Sequence, residues 1–229
     1  HYSCINISGF KKLNGSQVLK ENISYILNSL KLAVTENEKE KTIIHIFNSK
    51  SILDDKQIEN LPIGLFGDFY SHELTFFLIK NNDLMKIKQL INKNNLSIKK
   101  IFIKNFIEGV ELINKDNNTE TFFKIKINKD NSDLSFFENG SFRYVENFNF
   151  GTSIIFRDIK KVCSLDYEII DKILLDRPYE DKSFSESELF EEKYFIEENY
   201  RKIKKKLVID IAKARIEEII NIIFNRNIN

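Results

Sequence analysis

A period-two alternation of apolar and polar positions inside residues 121–150 orders the rest of the chain. Phe123, Ile125 and Ile127 alternate with Lys124 and Lys126, the pattern of a strand with one buried face. A polar break, residues 128–133, follows, and Leu134, Ser135, Phe136 and Phe137 predict a second strand. Asn139-Gly140 is a two-residue hairpin signal, because both positions of the favoured turn need positive φ. Residues 142–150 predict a third strand, and Gly151 opens an amphipathic segment. Three antiparallel strands followed by a helix need a helical layer on one face. They also place the polar loop at one end of the sheet.

Ahead of this meander, Ile5 and Ile7 around Asn6 predict a short strand, and Asn14-Gly15 a hairpin-type turn with a further strand after it. Ile23, Ile26, Leu27, Leu30 and Val34 follow helical spacing with Asn22 as N-cap. Residues 42–47 and 51–53 read as an apolar strand broken by Asp54-Asp55, and 73–79 as another. Asn82-Asp83 caps a helix with Leu84, Ile87, Leu90 and Ile91 inward. Residues 98–103 predict a buried strand, and Phe106, Ile107, Val110 and Ile113 a short helix. A polar linker at 116–119 is the expected boundary.

Beyond the meander, Ile154, Ile155, Ile159 and Val162 predict one helix and residues 167–175 a second, ended by Arg177-Pro178. Residues 179–192 are acidic and serine-containing and read as a surface insertion. A long helix over 195–224 closes the chain, with Val208, Ala212, Ile216, Ile219, Ile220 and Ile223 buried.

The 229 residues suffice for one large domain or two small ones, at roughly 100–200 residues each. Lys+Arg 35 against Asp+Glu 34 gives a formal charge of +1, which argues against a nucleic-acid partner. Cys4 and Cys163 stand far apart, as buried thiols in a reducing compartment do. No apolar run approaches the roughly 18 residues of a membrane span, and no signal peptide opens the chain.

Two groups of residues resemble the FtsA family of actin-like bacterial cell-division proteins. One is the hairpin at Asn139-Gly140 with Arg143 beyond it and Gly151 seven residues before Asp158-Ile159. The other is His45, then Leu53-Asp54-Asp55, then Pro62-Ile63-Gly64-Leu65-Phe66-Gly67. That run is similar to the strand–helix–strand–strand module inserted in the family's first subdomain. Pro62 sets φ for a turn, and the two glycines let the chain cross between strands. The resemblance implies an α+β, actin-like (ribonuclease-H-type) core fragment carrying that module. It would divide the chain into the module at 1–80, the rest of the first lobe at 81–116, and a second lobe at 117–229.

The resemblance also implies a role. It is that of a polymerising adaptor at the inner face of the cell membrane at the division site, cytoplasmic, linking the FtsZ ring to the membrane and to later division proteins. Self-association into filaments, and partner contact through the module, belong to that reading. The family's membrane contact and FtsZ-binding subdomain would lie in segments outside this chain. Asn128, Lys129, Asp130, Asn131 and Ser132 occupy the place of the second phosphate hairpin, in degenerate form. Lys126 stands where many members have Asp, and 128–130 where they have glycines. A phosphate cradle needs backbone amides in close approach, often with glycine supplying positive φ. Hence no cofactor is expected in this chain, and ATP with magnesium is left to a full-length parent.

No catalytic or metal residue is expected. His1, His45 and His72 have no metal spacing, and His45 in its apolar strand reads as a hydrogen-bonded structural residue. Neighbouring Asp54 and Asp55 would point to opposite faces of a strand, so a turn is expected rather than a carboxylate dyad. Arg201, Lys202, Lys204, Lys205 and Lys206 follow Glu197-Glu198, which favours a solvated helix face over lipid binding. Two alternatives stay open: an actin-like ATPase or phosphotransferase, and a pilus-assembly actin-like docking protein.

Overall fold

A computed structural model describes residues 2–115, 120–175, 185, 187–195 and 199–225. The fold is mixed α and β, with two antiparallel sheets. It separates into two compact units, residues 1–125 with 133–147, and 126–132 with 148–229. The expected linker at 116–119 lies outside the described residues.

The first unit begins with β1 (Tyr2–Lys12), followed by α1 (Lys20–Asn37), β2 (Lys41–Leu53), the short β3 (Lys56–Ile58) and β4 (Phe69–Lys80). These strands form one sheet in the order β1-β4-β2-β3. Alternation along β4 explains why it is central. Leu74, Phe76 and Leu78 face α1, where Ile26, Leu30 and Val34 join them in a continuous core. Phe77 points the other way, into a core with Ile103, Phe137, Phe142 and Val145. A strand buried on both faces needs this near-continuous apolar run.

The register of β1 with β4 is unbroken from Tyr2–Ile79 to Lys12–Phe69, whereas β2 is bulged between Ile43 and His45 and between Asn48 and Lys50. Asp54 and Asp55, at φ +48° and +63°, make the tight turn from β2 to β3. Asn14-Gly15 also has positive φ, yet it leads through one isolated bridge at Gln17 into α1 and starts no hairpin strand. Asn22 sits inside the first turn of α1, where its Oδ1 accepts the Leu19 backbone N–H at 2.7 Å, so it is not the N-cap.

After β4 come α2 (Asn81–Asn92) and α3 (Lys104–Lys115), then β5 (Phe122–Ile127), β6 (Ser132–Glu138) and β7 (Ser141–Phe148) in the order β5-β6-β7. Asn139 and Gly140, at φ +50° and +71°, form the expected turn between β6 and β7. Three expectations are corrected here. Residues 98–103 form no strand, although Ile103 is buried. On α2 only Leu84 is buried, while Ile87 and Leu90 are exposed. On β5 the faces are exchanged: Phe123 and Ile127 are exposed, and Phe122 packs into the core beside Phe137. Lys124 goes inward with it, because Glu108 of α3 meets its ammonium there.

The second unit contains α4 (Ser153–Cys163), α5 (Tyr167–Leu175), a 3-10 turn (Glu192–Tyr194) and α6 (Lys205–Asn225). α4 packs on both α5 and α6, with Ile155, Ile159, Ile169, Ile170, Val208, Ile219 and Ile223 buried. Arg215 of α6 pairs with Asp158 of α4 at 2.5 Å. Val162, expected on the buried stripe of α4, is exposed, and Cys163 takes its place. The closing helix starts at Lys205, not near Phe195. Arg177-Pro178 and residues 179–184 and 186 of the acidic stretch lie outside the described residues. Within its described end Phe190 is fully buried, held by its N–H to the Ile203 carbonyl at 3.0 Å, so this part belongs to the core.

Candidate functional site

Two places have claims on function: the loop at 128–132 and the end of the first sheet built from 62–69. At the loop, the Asn128 N–H donates to the Asn131 carbonyl at 2.8 Å, and the two side-chain amides bond at the same distance. The carbonyls of Asn128 and Lys129 accept the Thr152 and Ser153 N–H groups at 2.9 and 2.8 Å. Those amides lie at the start of α4, where a helix leaves N–H groups unsatisfied. Ser132 is buried, and its hydroxyl donates to the Phe150 carbonyl at 2.8 Å.

Gly151 makes this approach feasible. A Cβ there would stand 2.0 Å from the Asn128 oxygen and 2.7 Å from that of Lys129. The one glycine of the site thus serves a close contact between two chain segments. Carbonyl oxygens face the helix start, and the amides that would hold an anion are already bonded to them.

Beside the loop lies a cleft of about 950 Å³, lined by Lys129, Asp130, Phe150, Phe156, Arg157 and Tyr167 among others. Glu168 and Asp171 also line it, so three carboxylates stand against two cations. A polyphosphate would meet acidic excess there. Of the five residues expected at the hairpin, Lys129 and Asp130 reach this cleft, while Asn128, Asn131 and Ser132 close the loop.

At the sheet end, the run from Pro62 to Gly67 is tied down by backbone bonds. Val18 donates to Leu65 at 2.8 Å, Gly64 to Val18 at 2.9 Å, and Gly15 to Gly67 at 3.1 Å. The Asp54 carboxylate accepts the N–H groups of Asp68 and Phe69 at 2.9 and 2.8 Å. Asp54 and Asp55 therefore shape this end of the sheet. So anchored, the segment displays aromatic rings to solvent. Phe66 is 70% exposed and Phe10, on β1, 71%; Phe10 and Phe69 lie 6.5 Å apart between ring centroids. The sequence marked the Pro62–Gly67 run, but the exposure of Phe10 and Phe69 was not legible, since both lie outside the strand patterns read at Ile5–Ile7 and 73–79.

The other marked residues have structural surroundings. His45 is half-buried and stacks on Phe47 at 5.6 Å, and its Nε2 has no hydrogen-bond partner among the described residues, unlike the bonded residue expected. Arg143 is buried between Glu73 at 2.6 Å and Glu138 at 3.2 Å. Cys4 bonds the Val145 backbone through its sulfur, and burial raises its pKa. Among the described residues, no three His, Cys, Asp or Glu side chains converge as metal ligands would.

No protein family matches the chain, and no curated protein does. Among solved structures the chain is similar to one in a "PilM-PilN type IV pilus biogenesis complex", at 8% identity and a TM-score of 0.45. That alignment covers 72% of this chain and 45% of the other, so this chain spans under half the length of that protein. The two antiparallel sheets and their connections define the fold on their own terms.

Proposed function

We propose that the chain belongs to an actin-like docking protein whose work is assembly through protein contacts, with no phosphoryl transfer at the 128–132 loop. The observation that carries this reading is the aromatic end of the first sheet. Phe10, Phe66 and Phe69 are held in solvent by a dense set of backbone and carboxylate bonds. A rigidly built, exposed apolar patch is the mark of a contact surface. It adjoins β1, an edge strand of eleven residues paired without a bulge. We take its occupant to be a neighbouring copy of the chain. The bonded-out loop and its acidic cleft support the absence of a nucleotide reaction.

Two settings suit such a protein. Docking at a pilus-assembly machine is the first. The cell-division adaptor, with FtsZ and filament partners, rests on the sequence resemblance alone and stands second. Sedimentation velocity across a concentration series tests the docking reading. The chain should self-associate, and Phe10→Ser with Phe66→Ser should return it to monomer with unchanged circular dichroism. A chain that stays monomeric, or a double variant that still associates, refutes it. Calorimetry with Mg-ATP should be flat; a saturable heat would instead favour the ATPase alternative.

A further inference from the structure

The apolar pattern called for burial at two neighbouring places that the structure leaves open. One is the stripe of α2, where Ile87 and Leu90 are exposed; the other is the irregular segment after it, where Leu96 and Phe102 are exposed. Beside them lies a shallow groove of about 760 Å³, lined by Ile91 of α2 and by Leu96, Ile98, Lys99, Lys100 and Phe102. Its charge is one-sided, since Lys99 and Lys100 line it and no carboxylate does. Between residues 81 and 103 the sequence holds Lys86, Lys88, Lys93, Lys99 and Lys100 against the single Asp83, in a chain of net charge +1. All five lysines are exposed, and among the described residues none has an ion pair. Lys100 lies 4.9 Å over the Phe102 ring, so cation and apolar floor share one surface.

We propose that this groove docks an acidic peptide segment of a partner protein, with apolar side chains on the Leu96–Phe102 floor and carboxylates on the lysine rim. Charge complementarity selects the sign of the partner. The backbone selects its class. From 96 to 102 no backbone hydrogen bond is made among the described residues, so a row of N–H and C=O groups is open to a ligand. A peptide satisfies such groups with its own backbone. A bilayer does not, since unsatisfied backbone groups are costly against hydrocarbon. The groove is apart from the aromatic sheet end, and the proposal stands whether or not that surface mediates self-association.

Fluorescence anisotropy with a labelled peptide of about a dozen alternating leucines and glutamates tests it. The acidic peptide should bind with Kd on the order of 10 µM, and added salt should weaken it. Lys99→Glu with Lys100→Glu, both at exposed sites, should weaken it about tenfold while leaving the thermal transition in place. Phe10→Ser with Phe66→Ser should leave peptide affinity unchanged, which separates this site from the assembly surface. Equal binding of the counterpart with lysine for glutamate overturns the proposal. So does no binding of the acidic peptide, or full binding by the lysine variants. Flotation with phosphatidylcholine–phosphatidylglycerol vesicles, without peptide binding, assigns the groove to a lipid surface instead.

Discussion

His72 shows how much a single side chain can be asked to tolerate. It lies on β4, 2% exposed, and neither ring nitrogen has a hydrogen-bond partner among the described residues. Burial disfavours the imidazolium, so its pKa is lowered from the ordinary value near 6.5. The unfolded chain then binds a proton at a pH where the folded chain does not. Stability conferred by neutral His72 is full above about pH 6.5 and falls as pH drops from there toward the folded-state pKa. His72→Leu should raise stability by about 1 kcal/mol at neutral pH, because it removes two unbonded buried nitrogens. It should also flatten the acid branch between pH 7 and 5, roughly the range over which histidine titrates. Urea unfolding of both proteins across that range checks the difference. An unchanged slope would mean that His72 is solvated in the folded state. Nothing in the sequence singles out His72 for this, because its burial comes from the period-two register of β4 opposite Gly9 and Ser51.

At the scale of elements, the turns were the most legible part of the chain. Asn139-Gly140 and Asp54-Asp55 adopt the positive φ that their residue types permit, a property of two residues that needs no distant partner. The face of β5 was not legible. Phe122 and Phe123 are both apolar, so the alternation fits either register, and only Glu108, brought from α3, decides that Lys124 turns inward. The loop at 128–132 sits between these cases. Its lack of glycine could be read directly. What it holds, the start of α4, depends on Gly151, twenty residues from Asn131. Gly151→Ala should force the loop and α4 apart and cost about 1–3 kcal/mol, as overpacking does. Faster amide exchange at Thr152 and Ser153 should accompany that loss. Retained protection at both amides would show that the joint absorbs a methyl group.

For the whole molecule, the compact units follow packing and not sequence order. The meander contributes β5, β6 and β7 to one sheet, yet the second unit takes residues 126–132 and everything from Phe148 onward. Such a boundary is invisible to composition, which changes little there, and it arises because Gly151 and Ser132 bind the loop to the segment before α4. The acidic stretch misled for the opposite reason. Phe190 lies among serines and glutamates, yet it is buried, held by bonds to Ile203 and from Tyr200. Two adjacent apolar residues, Leu189 and Phe190, in a polar run carry no periodicity to detect.

The two cysteines turn this division into a measurement. Cys4 lies in the first unit and Cys163 in the second, both as free thiols with pKa raised by burial. A thiolate-selective alkylating reagent should therefore react slowly at each, and faster wherever local opening exposes the sulfur. Alkylation followed by mass spectrometry should give two separate rates, and Gly151→Ala should accelerate the reaction at Cys163 more than at Cys4. The molecule carries a clock in each half, placed there by its own sequence.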